Sequence, residues 1–496
     1  MLFNSIQFLI FFPIVSLLFY IMPRKVRYIW LLISSYYFYM SWNPKYALLL
    51  ACSTYITYVS GVLIDRYNTS QTVHKTRNKK LCVAASFVLN LAILAIFKYG
   101  NFFLYNLNLI FGRIGIETVN YHFDFLLPVG ISFYTFQALS YTMDVYRGDI
   151  SAERNLLKYA LFVSFFPQLV AGPIERSKNL LLQIQETDKV QWNSERIRDG
   201  LLLMFWGLFQ KMVIADRAAI LVDQVYSNYT QHGFVEISFA TILFAFQIYC
   251  DFGGYSNIAR GAAQVMGFSL MENFRQPYLA TNIKEFWHRW HISLTSWFTD
   301  YLYIPLGGNR KGQFRKYINI LIVFAVSGLW HGTSWRFIVW GGLHGIYQVC
   351  GDLKRRAQKH FTGENTKSQD QLSLSQWLRK AFTTFLLVDF AWLFFAADGL
   401  PHALRMIRQM CTHFFMARSL YVLGLDEKDL SLLLLAILLL MIVDIVHERN
   451  HSLLCLVNRQ EIWFRWGIYY ALILSIIIFG IYGPEYDASQ FIYFQF

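Results

Sequence analysis

Charge is scarce in this chain. Lys, Arg, Asp and Glu make up 15% of its 496 residues, where a soluble protein of this length carries roughly 25%. With 55% hydrophobic residues and a mean hydropathy of +0.35, that scarcity excludes an ordinary soluble globule. Cysteine is sparse too. The six (Cys52, Cys82, Cys250, Cys350, Cys411, Cys455) sit mostly in or beside apolar runs and form no CxxC pair, which leaves neither a disulfide framework nor a zinc site. The apolar runs lack period-2 alternation, which argues against a closed membrane barrel. The N-terminal stretch MLFNSIQFLIFFPIVSLLFYIMPRK has no basic leader and no small-residue cleavage site, so it is expected to be a retained first span and not a cleaved signal.

What the chain has in abundance is long apolar runs. Segments near 3–22, 28–42, 46–64, 81–98, 125–143, 155–172, 200–222, 234–251, 255–270, 317–331, 335–350, 381–397, 430–446 and 463–482 approach the 17 to 25 residues or so that cross a bilayer as a helix. Backbone polar groups must be satisfied internally in lipid, so these runs predict an all-α polytopic membrane protein, a single domain over 1–496. The shorter runs suit half-helices or re-entrant elements. The expected number of hydrophobic segments is about eleven to fourteen.

The net charge of +13 belongs to short loops between the runs, which is how membrane proteins encode orientation. No nucleic-acid partner is therefore expected; the bilayer is. The Lys/Arg-rich loops at 23–27, 66–80, 147–158, 286–316 and 354–359 predict the cytoplasmic side of a cell membrane. Segment 284–316 is expected to be an amphipathic or re-entrant element there, and 351–380 a polar cytoplasmic loop. The C-terminal GPEYDASQFIYFQF has acidic residues and no Lys or Arg, which predicts the opposite side.

Against this background SGLWHG (327–332) stands out. His331 lies roughly 20 Å along a helix that starts at the basic pair Arg315–Lys316, past the middle of a hydrocarbon core about 30 Å thick. An ionisable residue at that depth faces a cavity or pathway by default. Gly328 and Gly332 allow close backbone approach and a break in the helix, and Trp330 and Trp335 can wall a pocket. The bland alternative is a neutral core histidine bonded to a carbonyl.

A second constellation is KEFWHRWHISLTSWFTDYLYIPLGGNRKG (284–312). Trp287, Trp290, Leu294 and Trp297 recur at helical spacing, one apolar stripe on a predicted amphipathic helix. His288 and His291 lie one turn apart on a neighbouring face, without the HExxH or cysteine set a metal would need, so no metal site is expected. The turn PLGGNRKG offers backbone amides with Arg310 and Lys311 for a phosphate. In FQIYCDFGGYSNIARGAAQVMGF (246–268), Asp251 interrupts an apolar run, and the pattern favours a cap or a buried partner for an Arg over a catalytic acid.

These stretches, with FFPQLVAGPIERS (165–177) and the terminal FIYFQF, resemble the signatures of the membrane-bound O-acyltransferase family, and within it the bacterial alginate O-acetyltransferase branch. The resemblance implies a helical bundle with re-entrant elements around a thin centre with a through-tunnel. It also implies two functional histidines, His331 of the LWHG motif as the catalytic base and His291 of RWHISL. Trp330, Trp287, Asp300, Arg310, Lys311 and Asp251 are the residues expected to contact substrate or donor, and a backbone amide near Gly332 could join the Trp330 N–H as an oxyanion donor. The branch often has Arg at the positions of His288 and Thr299 and Asp at that of Asn257. No tightly bound cofactor is implied; acetyl-CoA is the implied donor, with an extracytoplasmic partner protein and a polysaccharide acceptor such as alginate, cellulose or peptidoglycan. D-alanyl transfer from a carrier protein to teichoic acid is the alternative within the family, and a proton-coupled transporter the alternative outside it.

Overall fold

A computed structural model describes residues 1–70, 74–119, 121, 123, 127–362, 373–414, 423–449, 452–482 and 492. Among them there is helix and no strand, as expected of an all-α membrane protein. Among the described residues five helices are long and apolar enough to cross a membrane: Tyr46–Thr69, Lys75–Ile114, Phe234–Val265, Glu427–Glu448 and Ile462–Phe479. The chain forms two compact units, residues 1–204 with 258–271 and residues 205–257 with 272–496.

The first unit begins with α1 (Ile6–Ile21), α2 (Arg27–Met40) and α3 (Tyr46–Thr69). The run α4 (Lys75–Leu94), a π turn at Ala95–Tyr99 and α5 (Gly100–Ile114) form one continuous 40-residue helix, longer than the predicted 81–98. Then follow α6 (Ile131–Arg147), α7 (Leu156–Ser164), α8 (Phe166–Leu169) and α9 (Leu182–Gln185). The predicted run 155–172 is broken at Phe165, whose neighbour at the second position of α8 is Pro167, a residue that suits a helix start and not its interior. Aromatic side chains fill this unit: Phe8, Phe38 and Phe166 pack on Phe11, and Tyr141 on Tyr159.

The chain passes between the units within α10 (Ser194–Phe209) and again within α12 (Phe234–Val265), with α11 (Asp216–Ser227) between them. The two predicted runs 234–251 and 255–270 are therefore one helix. Asp251 does not break it because Lys211 Nζ meets the carboxylate at 2.6 Å and reaches Asp216 at 2.8 Å. Gly254 of the same helix lets the backbone of Gly207 approach to where a Cβ would stand 2.6 Å from its carbonyl oxygen.

The second unit continues with α13 (Ile283–Arg289) and α14 (Ile292–Phe298), then α15 (Gln313–His331), α16 (Trp335–Thr362), α17 (Leu374–Ala396), α18 (Leu400–Thr412), α19 (Glu427–Glu448), α20 (Leu453–Asn458) and α21 (Ile462–Phe479). Two expectations need correction. The tryptophan stripe does not lie on one helix, because the chain breaks at Trp290–His291. The polar loop expected at 351–380 is helical at both ends, in α16 to Thr362 and in α17 from Leu374; 363–372 lie outside the described residues. The C-terminal stretch is likewise outside them except Ile492, whose N–H donates to Asp251 Oδ2 at 2.8 Å.

Helices α15 and α16 form a tight antiparallel hairpin. A Cβ on Gly328 would lie 2.1 Å from the Phe337 carbonyl oxygen, and one on Gly341 would lie 2.2 Å from that of Phe324. The other end of the hairpin is pinned by Asp352, which accepts from Lys316 Nζ at 2.8 Å, Tyr317 Oη at 3.0 Å and Arg356 Nε at 2.9 Å. Partial burial works to raise the Asp352 pKa, but these donors outweigh it and hold the carboxyl down at about 2.

Candidate active site

His331 is the last residue of α15. The helix ends there because Gly332 adopts an extended backbone, and a side chain at 332 would strike the Phe337 ring at 2.1 Å. The break and the close approach expected of Gly328 and Gly332 are thus both present. The His331 ring is 4% exposed. Its neighbours are the rings of Trp330 at 4.9 Å, Trp340 at 5.0 Å and Phe395 at 5.5 Å, centre to centre.

His291 reaches the same place by a different route. Its φ of 45° and ψ of 54° put it in the left-handed region, which a side-chain-bearing residue adopts only when its surroundings hold it there. They do. Asn282 caps α13 by accepting from Glu285 N–H. Arg289 at the end of α13 donates to both Glu448 oxygens, at 2.5 and 2.8 Å, and to Glu285 at 2.6 Å. Just beyond the turn, Ile292 N–H donates to the Asn273 carbonyl, and Ser293 Oγ donates to Asn273 Oδ1 at 2.7 Å. This kink carries His291 off the tryptophan stripe into full burial, with Phe252 at 4.7 Å, Trp330 at 5.9 Å and His331 at 6.4 Å.

The structure therefore brings His331, His291 and Trp330 into one aromatic chamber in the second unit. Trp287 stands one layer further along the hairpin, 5.8 Å from Trp340 and 5.2 Å from Phe324. The other expected contacts are elsewhere. Asp251 is the ion-pair partner of Lys211, and it is the adjacent Phe252 that touches His291. Asp300 lies in a π turn at Thr299–Tyr303. Arg310 and Lys311 are exposed in the following turn, which Asn319 of α15 ties down by donating to the Gly308 carbonyl at 2.9 Å. The Gly332 N–H closes α15 on the Gly328 carbonyl at 3.3 Å, so it is engaged already. His288 and Thr299 are exposed and Asn257 donates to Gln210. No group of three or more His, Cys, Asp or Glu side chains among the described residues could hold a metal ion.

Three chamber residues escaped the sequence reading: Trp340, His344 and Phe395. His344 is fully buried on α16 and accepts from Trp287 Nε1 at its Nδ1, 3.2 Å away. A signal existed. The rule that singles out His331, an imidazole inside an apolar run, applies equally to His344.

An enclosed imidazole pair in a helical membrane protein is the candidate site, and the comparisons with known proteins show the family of the chain. A model of the membrane-bound O-acyltransferase family matches residues 149–382. A probable alginate O-acetylase of Pseudomonas putida is 38% identical over 83% of this chain and 80% of its own length. A peptidoglycan O-acetyltransferase of Helicobacter pylori is 34% identical, also over 83% of this chain and 80% of its own. A teichoic acid D-alanyltransferase of Bacillus subtilis is 27% identical over 47% of this chain and 61% of its own. The chain belongs to the membrane-bound O-acyltransferase family, in its alginate O-acetyltransferase-like branch. It is a multi-pass membrane O-acyltransferase.

Proposed function

We propose that this protein transfers acetyl groups from acetyl-CoA on the cytoplasmic side of the inner membrane toward a cell-surface polysaccharide on the other side, with His331 as general base. The observation that carries the reading is the enclosure of the His331 ring by Trp330, Trp340 and Phe395, with His291 at 6.4 Å. An imidazole held there takes the proton of an acceptor hydroxyl near neutral pH. The hydroxyl oxygen then bonds to the thioester carbonyl carbon, the C–S bond breaks, and the departing thiolate takes up the proton from the imidazolium. The intermediate's oxyanion needs a donor; Trp330 Nε1 is the side-chain candidate.

The basic turn with Arg310 and Lys311 and the Asp352 cluster share the end of the hairpin away from His331, which suits an anionic donor arriving from the cytoplasm. The acceptor then meets His331 from the opposite side, and the CoA itself never crosses. An extracytoplasmic partner protein completes delivery to the polymer, and the C-terminus lies on the partner's side. The O-acetylating relatives favour alginate-like exopolysaccharide or peptidoglycan as the acceptor.

The test is ester-linked acetyl on exopolysaccharide and peptidoglycan of cells lacking the protein, complemented with wild type or His331→Ala at equal membrane abundance. Restoration by wild type alone supports the reading and names the polymer. Full restoration by His331→Ala removes His331 from the chemistry. Acetyl that never depends on the protein, with D-alanyl ester that does, transfers the reading to the teichoic acid branch.

A further inference from the structure

Beyond the His331 chamber, a column of buried rings follows the α15–α16 hairpin toward its basic end. Trp340 stands 5.0 Å from His331 and 5.2 Å from His344. Phe286 stacks on His344 at 6.1 Å with an interplanar angle of 7°, and Trp287 meets it edge-on at 5.0 Å. Both Trp340 and His344 are 0% exposed.

The hydrogen bond from Trp287 fixes the state of His344. An indole N–H only donates, so Nδ1 of His344 is the acceptor and, in the neutral ring, the proton sits on Nε2. That Nε2–H is buried and has no acceptor among the described residues, and the same is true of Trp340 Nε1. Two neighbouring orphan donors inside a protein are costly unless something accepts from them. The orphan atoms belong to rings on the donor side of His331.

We infer that His344 is a donor-binding residue: its Nε2–H donates to an amide carbonyl of the pantetheine arm that carries the acyl group. The inference rests on the thioester-donor reading above. In an extended pantetheine arm the first amide carbonyl lies roughly 6 Å from the thioester carbon, a reach that takes it past the Trp340 ring, 5.0 Å from His331, toward His344. With the thioester at His331, that carbonyl falls beside Trp340 and His344. The same arm belongs to coenzyme A and to the prosthetic group of a carrier protein, so His344 serves either source.

The experiment uses membranes containing the full chain and compares two pairs. The first pair is of donors with wild type: S-acetyl-N-acetylcysteamine, which has the amide, and S-acetyl-butanethiol, which lacks it. The amide donor is expected to have about tenfold higher kcat/KM, the effect of one hydrogen bond. The second pair is of variants. His344→Asn keeps an acceptor near Trp287 and loses the Nε2 donor; His344→Gln keeps a donor near Nε2 and loses the acceptor. KM for acetyl-CoA is expected to rise about tenfold in His344→Asn with kcat little changed, and to stay near wild type in His344→Gln. Acetyl-CoA and an acetylated carrier protein are assayed side by side, and the one that saturates names the source.

The inference is overturned if wild type ignores the amide, or if His344→Gln loses donor affinity while His344→Asn keeps it, which makes the residue a mere anchor for Trp287. The donor comparison needs no variant, so it decides even where a variant is unstable. Absence of wild-type turnover with every acetyl donor is a failure of the function reading and is separately recognisable.

Discussion

The His291 and His331 rings lie 6.4 Å apart, centre to centre and inclined by 61°, with Trp330 against both. They come from different elements, one from a strained turn and one from a helix end. With His331 as the proposed general base, His331→Ala is expected to lower acetyl transfer at least 100-fold, the lower end of what a positioned base contributes. Ester-linked acetyl per unit of membrane-inserted protein measures it. Transfer within a few-fold of wild type would mean that the base is another group.

His331 stood out in the sequence because depth is a local property, an imidazole at a countable distance along an apolar run; His291 was marked only by the family resemblance of RWHISL. The kink that joins them was not legible. Nothing in RWHISL announces a left-handed residue, as a glycine would, because the partners that hold the turn, Asn273 and Glu448, lie outside the motif. The neighbourhood of Trp340 and His344 was missed for a related reason, although His344 carried a local signal of its own. Their place beside His331 follows from the glycine register of the hairpin, which a residue-by-residue reading does not pair. Asp251 misled in the opposite sense: it looks like the end of a span, and only the Lys211 ion pair explains why α12 passes straight through. The helix α18 carries too few apolar residues to read as a span, and Asn101, Asn106 and Asn108 disguise α5.

The hairpin register gives the second prediction. Gly328→Ala and Gly341→Ala each push a methyl to about 2 Å from a carbonyl oxygen of the facing helix, and backbone cannot yield as a side-chain tip can. Overpacking of this kind costs about 1–3 kcal/mol. Both variants are expected to melt earlier in detergent and to lose activity with the chamber. Gly342 has open space at its Cβ position, so Gly342→Ala is the matched control and is expected to melt with wild type. A drop in all three would point to helix propensity or lipid contact and not to the hairpin interface.

The third concerns Arg289 and Glu448. The guanidinium grips both carboxylate oxygens, with side-chain exposures of 14% and 18%, and it also holds Glu285. Removing Arg289 strands the Glu448 carboxylate, at a cost of up to about 3–5 kcal/mol, whereas Glu448→Leu leaves Arg289 paired with Glu285 and costs less. Arg289→Met and Glu448→Leu are each expected to lower thermal stability and, by loosening the His291 turn, activity. The double variant removes both charges and should recover part of the stability. A double-mutant cycle that sums to independent effects would deny the coupling.

The fourth prediction is a pH dependence at the far end of the hairpin. Asp352 lies beyond the apolar run of α16, and its carboxyl is held at about 2 in the fold, below the ordinary value of about 3.9. A folded-state pKa that is depressed makes the ionised form a source of stability above the ordinary value, and that stability is lost as pH falls from about 4 toward 2. Three donors converge on this one carboxylate, at a site solvent partly screens, so the contribution is about 1 kcal/mol. Wild type should therefore melt higher than Asp352→Asn at pH 6, and the two should converge as the pH is taken down to 3 and below. A gap that persists unchanged at low pH would show that the asparagine differs from the aspartate in packing and not in charge, and the clamp on Lys316 and Arg356 would then be incidental to the hairpin.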